Sequence, residues 1–221
     1  MQRLFPNRAD AGRSLARHLR AYAKRNDVIV LALPRGGVPV GFEVAAALHA
    51  PLDVLMVRKL GVPWQEELAM GAIASGDALY VDRSMLREAA VTEPQFEAAL
   101  AAARLELARR EALYRDNRGA ANIAGWTAIV VDDGMATGAT LKAALRALRG
   151  LGTRAPAKIV AALPVAPTDA ELRLGDAVDE FVCVLTPQVF FSVGQFYDDF
   201  GETSDDEVRT LLAAALKPPQ P

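Results

Sequence analysis

The chain has 221 residues, with 25 basic and 27 acidic side chains, a formal net charge of -2 and 52% hydrophobic residues. This length accommodates one α/β domain with a small extra lobe, and the balanced charge creates no overall field that would attract nucleic acid or an anionic membrane. A single cysteine, Cys183, and two histidines exclude an internal disulfide framework and argue against a structural zinc site.

The first residues, Met1 to Arg8, lack the apolar core of a signal peptide. No later apolar run approaches the length of a membrane span. We therefore expect a cytoplasmic protein that has neither a membrane nor a nucleic acid as its partner.

Five short runs rich in Val, Ile and Leu predict buried strands, at 28–33, 52–57, 128–131, 158–163 and 181–185. These runs do not alternate between apolar and polar residues, and helical patterns separate them. Such strands are typical of a parallel sheet that is covered on both faces. The predicted fold class is α/β, with a mostly parallel sheet flanked by helices, as a single domain over 1–221.

Helical spacing of apolar residues predicts the helices between these strands. The first begins near Asp10 and carries Leu15, Leu19 and Tyr22 on one face. Others are expected over 38–48 and 138–149. A capping box that starts at Ser204 predicts a last helix, which ends before a frayed tail at 217–221.

The segment 92–117 interrupts this alternation and is interpreted as an inserted helical arm. Thr92 to Gln95 form a capping box, and an apolar stripe follows at Phe96, Leu100, Ala103, Leu107 and Tyr114. The other face carries Arg104, Arg109, Arg110 and Arg115, a pattern typical of a solvated surface. A role in oligomer contact or in covering a site is the less favoured interpretation.

The most informative segment is Ile129 to Leu141. Its pattern predicts a buried strand that ends at Asp132-Asp133, then a turn of small residues, and then a helix. Free main-chain amides at the start of a helix bind phosphate, and the hydroxyls of Thr137 and Thr140 add donors. Two adjacent carboxylates beside an anion need a cation or hydroxyls, which a sugar diol with Mg²⁺ would supply. The alternative is a polar strand-to-helix turn with no ligand.

Residues 130–140, Val-Val-Asp-Asp-Gly-Met-Ala-Thr-Gly-Ala-Thr, resemble the signature of type I phosphoribosyltransferases. That resemblance implies that Asp132 and Asp133 hold the ribose of 5-phosphoribosyl 1-pyrophosphate (PRPP) and act in catalysis. It also implies a small hood over the sheet and Mg²⁺ as the cofactor. The 5′-phosphate would lie on the turn made by Met135, Ala136, Thr137, Gly138, Ala139 and Thr140.

A second motif, Pro34-Arg35-Gly36-Gly37, follows the first predicted strand. Its glycines expose amides and Arg35 adds a guanidinium, which suits a pyrophosphate, although the same residues also make a plain turn. In this order the motif resembles the family's pyrophosphate loop. The resemblance implies a non-prolyl cis peptide between Pro34 and Arg35.

Two basic residues, Arg58 and Lys59, are placed at the end of the second predicted strand. They resemble the Arg-Lys pair where the family's mobile catalytic loop begins, which would make them catalytic. A solvated turn with two surface cations is the alternative, above all for Lys59.

The aromatic segment 187–200 resembles the hood of hypoxanthine-guanine phosphoribosyltransferases, and we place the hood at about 186–202 with N-terminal residues. On this match Phe191 would stack on an acceptor ring. Asp198 would join Asp132 and Asp133 in binding magnesium. The remaining phenylalanines, Phe190, Phe196 and Phe200, are expected to form a hydrophobic cluster.

Two departures bear on the acceptor. Family members that act on 6-oxopurines carry an Asp where this chain has Ala136 and a Lys where it has Pro164-Val165. The chain therefore resembles a bacterial branch of phosphoribosyltransferases with no assigned acceptor. The expected partners are PRPP, a small nitrogenous acceptor and a second copy of the chain in a homodimer. The alternative function is a regulator that senses PRPP without turning it over.

Overall fold

A computed structural model of the protein describes residues 5–115 and 118–216. The last two residues of the expected arm, the tail at 217–221 and residues 1–4 lie outside these ranges. The strands are β1 (Val28–Ala32), β2 (Leu52–Val54), β3 (Val57–Val62), β4 (Gln65–Ala74), β5 (Ala78–Val81), β6 (Thr127–Val131), β7 (Lys158–Val165) and β8 (Glu180–Leu185). The α-helices are α1 (Arg8–His18), α2 (Gly37–Leu48), α3 (Arg83–Glu88), α4 (Glu93–Arg115), α5 (Ala139–Arg149), α6 (Ala170–Leu174) and α7 (Asp205–Ala215).

A five-stranded parallel sheet forms the centre of the protein, with strand order β2-β1-β6-β7-β8. Every residue of β1 and β6 is buried, which explains why these strands read as continuous apolar runs. One face is covered by α1, α2 and α7, with α4 packed on α7 and on β3, and the other face is covered by α5 and α6. The predicted fold class is confirmed.

The strand order places β1 beside β6, where the direction of winding reverses. In open α/β sheets, ligands bind at such a point, outside the carboxyl ends of the strands. The loops that follow β1 and β6 are Leu33 to Gly36 and Asp132 to Gly138. The topology therefore brings the two motifs of the sequence to one edge of the sheet.

The predicted strand at 52–57 is wrong, because it is divided between two sheets. Leu55 still donates its amide to Ala32 O at 2.9 Å, but at Met56 the backbone turns to Ser75. The amide of Met56 donates to Ser75 Oγ, and Ser75 N donates to Met56 O, both at 3.0 Å. From Val57 onward the chain enters a separate antiparallel sheet, β3-β4-β5, which the sequence did not predict.

The arm helix α4 buries the predicted stripe against the main core, and Thr92 N donates to the Gln95 side chain at its start. Its basic face, however, is not uniformly solvated. The side chain of Arg115 is only 5% exposed and donates to Asp53, Glu111 and the carbonyl of Val54. The expectation of an exposed Arg115 is wrong, because this end of the helix reaches β2.

The segment 186–202, which we call the hood segment, is joined to the N-terminal residues. Phe5 N donates to Phe196 O at 2.7 Å, and Asp198 N donates to Phe5 O at 2.8 Å. The rings of Phe5 and Tyr197 lie 5.5 Å apart. These contacts place the first turn of α1 next to the carboxyl edge of the sheet.

Substituting Gly150, at the end of α5, is expected to destabilise the protein. The φ of Gly150 is -67°, an ordinary value, so the constraint is one of space. An added Cβ would overlap the carbonyl oxygen of Leu79 in β5. We expect Gly150→Ala to lower the free energy of unfolding by about 1–3 kcal/mol, as overpacking does elsewhere. Gly119→Ala is the control, since its Cβ would have no neighbour within 4 Å; equal loss in both variants in urea unfolding would contradict the prediction.

None of the helices in the described ranges combines the length and the hydropathy that a membrane span requires.

Candidate functional site

Two adjacent carboxylates, Asp132 and Asp133, stand at the carboxyl end of β6. Asp133 N donates to Asp132 Oδ1 at 2.9 Å, which fixes the first side chain across the start of the turn. Asp133 Oδ2 accepts a hydrogen bond from Arg8 Nε at 2.9 Å, and both of these side chains are under 16% exposed. The carboxylate pair therefore lies in a semi-enclosed position.

This enclosure changes the acidity of the pair. Burial, followed by the charge of Asp133, raises the pKa of Asp132 well above its ordinary value. Burial also raises the pKa of Asp133, while the hydrogen bond from Arg8 lowers it. A ligand that brings hydroxyl donors or a cation would stabilise the ionised form of these two carboxyl groups.

The loop Pro34 to Gly37 lies directly against the carboxylates. An added Cβ on Gly36 would overlap Asp133 Oδ2, and one on Gly37 would come 2.7 Å from Val131 O. The peptide bond between Pro34 and Arg35 is cis, as the family resemblance implied. The two glycines are thus required by the close approach of this loop to the end of β6.

Arg35 of the same loop is held by acidic residues that precede and begin α7. Its guanidinium forms ion pairs with Glu202 and with Asp205, the second at 3.8 Å. Asp205 also accepts a hydrogen bond from the hydroxyl of Tyr114 in α4 at 2.5 Å. Any anion that binds Arg35 must compete with these carboxylates.

The turn after β6 has the features of an anion site. Ala136, Thr137, Ala139 and Thr140 are exposed, and Gly138 has a φ of 76°, which favours glycine. The N-cap residue of α5, Gly138, has no side chain to cap the helix, and the Ala139 amide makes only a long hydrogen bond of 3.4 Å to Thr137 Oγ1. The amides of the first turn therefore face a surface that a ligand can reach.

Met135 differs from the rest of this turn. Its amide donates to Val165 O at 3.0 Å, and its side chain is buried beneath Gly138. Arg173 Nη1 in α6 donates to Ala136 O at 2.9 Å. Met135 and Arg173 therefore hold the turn in place, the first by packing against Gly138 and the second by a hydrogen bond to Ala136 O.

A cavity of about 510 Å³ adjoins the turn and contains the residue expected to stack on an acceptor. Ala136 and Thr137 line one side, and Phe190 and Phe191 line another. The side chain of Phe191 is 86% exposed, unlike that of Phe196, which is buried. Phe191 is therefore available to a planar ligand. Pro164 and Val165 belong to β7, so the residues that follow this strand are Ala166 and Pro167.

The acid expected to complete a magnesium site is not gathered with the pair at the end of β6. Within residues 5–115 and 118–216, no three His, Cys, Asp or Glu side chains form a group suited to a metal ion. Asp198 is exposed, and its amide is bonded to Phe5 O. A metal held by Asp132 and Asp133 would need its remaining ligands from a substrate and from water.

Arg58 and Lys59 lie in β3 rather than at the end of a core strand. Both are exposed and line a cleft of about 630 Å³ between the β3-β4 hairpin and α4. The cleft also contains Glu66 and Glu67, and it is walled by alanines of α4, not by Asp132 or Asp133. The hairpin turns at Pro63-Trp64, where the side chain of Trp64 is 57% exposed.

Two residues near the carboxylates were missed by reasoning from the sequence. They are Arg8, which binds Asp133 Oδ2, and Tyr197, whose hydroxyl donates to the carbonyl oxygen of Asp133 at 2.5 Å. Burial raises the pKa of Tyr197, so its hydroxyl stays a donor. Both residues are distant from Asp133 in sequence, and no local motif marks them.

Cys183 is not placed as a nucleophile, which agrees with its interpretation as a small apolar residue. Burial in β8 raises the pKa of its thiol to about 11. Because the thiolate is the reactive form, we expect alkylation of the native protein by iodoacetamide at about pH 7.5 to be much slower than alkylation of glutathione. Unfolding in urea should restore the ordinary rate; fast labelling of the native chain would contradict this.

Comparison with known proteins gives a consistent result. A family model for the phosphoribosyl transferase domain matches residues 4–199. Two curated proteins from Mycobacterium tuberculosis strains, each named "Putative phosphoribosyl transferase", are 46% identical over 213 residues, which is 96% of this chain. That match covers 47% of each relative, so the chain spans about half the length of these curated relatives.

A solved structure agrees in fold. The crystal structure of the protein TT1426 from Thermus thermophilus matches with a TM-score of 0.83 and 39% identity, over 96% of this chain and 98% of that one. The family model covers most of the chain, including the loop after β1, the carboxylate pair and the turn after β6. The chain therefore belongs to the phosphoribosyl transferase family, as its resemblance to type I members predicted.

Proposed function

We propose that the protein transfers the phosphoribosyl group of PRPP to a nitrogenous acceptor and releases pyrophosphate. The observation that carries this proposal is the meeting of two carboxylates, a glycine loop and an uncapped helix start at one edge of the sheet. These groups match the diol, the pyrophosphate and the 5′-phosphate of a single ligand. Family membership supports the reaction class.

The diol and the phosphate are assigned to the loop that follows β6 and to the start of α5. Asp132 and Asp133 would accept hydrogen bonds from the ribose hydroxyls, because a carboxylate is acceptor-only when ionised. The amides of Thr137 to Thr140 would hold the 5′-phosphate at the start of α5. Met135 would contribute support for the turn rather than a contact of its own, since its amide is already bonded to Val165.

The pyrophosphate is assigned to the loop after β1. Gly36 would offer its main-chain amide, whereas the amide of Gly37 already donates to Leu33 O at 3.0 Å. Arg35 would balance the charge that develops as the pyrophosphate leaves. Arg35 would first exchange its pairing with Glu202 and Asp205 for the ligand. Arg58 and Lys59 remain candidate catalytic residues. They would contact the pyrophosphate only if the β3-β4 hairpin moved towards the ligand.

Magnesium fits this site as a substrate-bound ion. Mg²⁺ is commonly held by one or two carboxylates together with phosphate oxygens and water. Asp132 and Asp133 supply two carboxylates, and the diol and pyrophosphate of PRPP would supply the remaining oxygens. The bound ion would neutralise part of the charge on the departing pyrophosphate.

The acceptor is proposed to stack on Phe191 in the cavity beside the turn. Ala136 offers no carboxylate to accept a proton there, and no lysine follows β7 at Ala166-Pro167. We therefore propose an acceptor other than hypoxanthine, guanine or xanthine. No covalent nucleophile is needed, because orientation and electrostatic stabilisation of the transition state would supply the acceleration.

The experiment that tests the proposal combines two measurements on the purified chain. Calorimetry measures binding of PRPP with Mg²⁺, with ATP and NAD as comparison ligands. A pyrophosphate assay then follows release in the presence of a panel of nitrogenous acceptors. We expect selective PRPP binding, and acceptor-dependent release with at least one compound.

Three other outcomes would change the conclusion. Saturable PRPP binding without release for any acceptor would favour a regulator that senses PRPP. Equal affinity for ATP or NAD would indicate a general nucleotide-binding domain. Failure to bind PRPP at all would overturn the proposal.

A further inference from the structure

Arg8 contacts the carboxylate pair although it precedes Asp133 by 125 residues in the sequence. It is the first residue of α1, directly after Asn7, whose side chain caps that helix by accepting from Asp10 N at 2.9 Å. Its Nε donates to Asp133 Oδ2 at 2.9 Å, and its Nη1 donates to Gly201 O at 2.6 Å. The guanidinium carbon lies 4.0 Å from the centroid of the Phe200 ring.

These three contacts fix the guanidinium in one place. Its side chain is 13% exposed, so little of it is free to move into solvent. An arginine can use its planar fork for two directed hydrogen bonds at once, which a lysine cannot reproduce with the same geometry. Arg8 therefore fixes the orientation of the Asp133 carboxylate, and does more than neutralise its charge.

The main chain of Asp133 is held by the same part of the protein. Tyr197 donates its hydroxyl to Asp133 O, and Val193 packs where a Cβ of Gly134 would stand. Tyr197 and Val193 belong to the hood segment, which Phe5 joins to the N-terminal residues. The main chain of Asp133 is thus held by the hood segment, and its side chain is held by Arg8, which lies next to that segment.

We propose that Arg8 is a positioning residue, which holds Asp133 in the orientation that binds a sugar diol. The inference rests on the proposed sugar site and adds that docking of the hood determines how well this site binds ribose. Arg8 acts on the diol through Asp133, and its Nε also lies beside Gly36 of the loop after β1, 3.3 Å from where a Cβ of Gly36 would stand. Among ligands without a pyrophosphate, its effect is confined to those that carry the diol.

The test compares two ligands that differ in hydroxyl groups. Ribose 5-phosphate carries the diol, whereas tetrahydrofurfuryl phosphate keeps a ring and a phosphate but has no hydroxyl. We expect Arg8→Met to weaken the binding of ribose 5-phosphate about tenfold in calorimetry, because a misoriented Asp133 would lose one charge-assisted hydrogen bond to the diol. The affinity for tetrahydrofurfuryl phosphate should not change. Arg8→Lys should recover part of the loss, since it keeps the charge without the fork.

A second comparison shows whether Arg8 acts through Asp133. In an Asp133→Ala background, which removes the acceptor of Arg8 Nε, Arg8→Met should have almost no further effect on ribose 5-phosphate binding, because coupled residues are not additive. Arg13→Met is the matched control. Arg13 lies on the same helix but is half exposed, and it pairs with Asp10 and Glu43, away from the carboxylate pair.

The outcomes separate this inference from the proposed function. If the wild-type chain prefers ribose 5-phosphate and Arg8→Met binds it equally well or more tightly, the positioning role is overturned and the sugar site stands. Equal loss for both ligands would show a general structural effect and would also overturn it. If the wild-type chain shows no preference for the diol, the sugar site itself fails, and the inference fails with it.

Discussion

Replacing Asp132 and Asp133 together by asparagine is expected to weaken PRPP binding by at least about 100-fold. A hydrogen bond to a charged group contributes about 1.5–3 kcal/mol, and each 1.4 kcal/mol is about a tenfold change in affinity. The two substitutions keep the shape of the side chains but remove the charge that the diol and its metal would engage. Calorimetry with Mg²⁺ present measures the loss directly.

The control for this prediction removes two acids elsewhere. Asp77 lies in the exposed turn between β4 and β5, and Asp206 is exposed in the first turn of α7. Asp77→Asn with Asp206→Asn makes the same change in net charge and should leave the affinity close to that of the wild type. Unaltered PRPP binding in the Asp132 and Asp133 variant would refute the assignment of these residues to the ribose.

The largest effect on stability is expected from Arg115→Met. This guanidinium donates to Asp53 Oδ1 at 3.2 Å, to Glu111 Oε1 at 2.6 Å and to Val54 O at 2.6 Å. Breaking a buried pair by removing one partner leaves the other charge without compensation, at a cost of about 3–5 kcal/mol. In a protein of this size the midpoint of thermal unfolding should fall by roughly 10 °C.

Arg109→Met on the same helix provides the comparison. Arg109 is exposed and pairs with Glu106 within one turn. Its replacement should leave the unfolding midpoint close to that of the wild type, because exposed pairs contribute little to stability. Similar midpoints for the Arg109 and Arg115 variants would show that the contact between α4 and β2 does not anchor the arm.

The anchoring of α4 also gives the arm a connection to the site. Tyr114 donates to Asp205, and Asp205 pairs with Arg35 of the loop after β1. Burial, followed by the hydrogen bond to Asp205, raises the pKa of Tyr114 to about 12. The hydroxyl therefore remains a donor at neutral pH, and the arm helps to hold the acid that competes for Arg35.

The parallel sheet and the motif at its edge follow from patterns that are local in the chain. The strand ending at Val131, the two acids, the small-residue turn and the helix from Ala139 are adjacent in the chain, so local rules for strands, turns and helix starts apply to them. The loop at Pro34 to Gly37 was placed correctly for the same reason. Carboxyl ends of parallel strands meet at one edge, and this brings the two motifs together.

The distant residues that complete that edge depend on long-range packing. Arg8 and Asp133 are 125 residues apart, and Arg115 and Asp53 are 62 apart. In sequence, both arginines fit an ordinary helix surface, and the run at 52–57 fits a single strand. Their roles depend on how the hood, the arm and the β3-β4 hairpin pack, and that packing follows from side-chain contacts between remote segments, which hydrophobic periodicity does not encode.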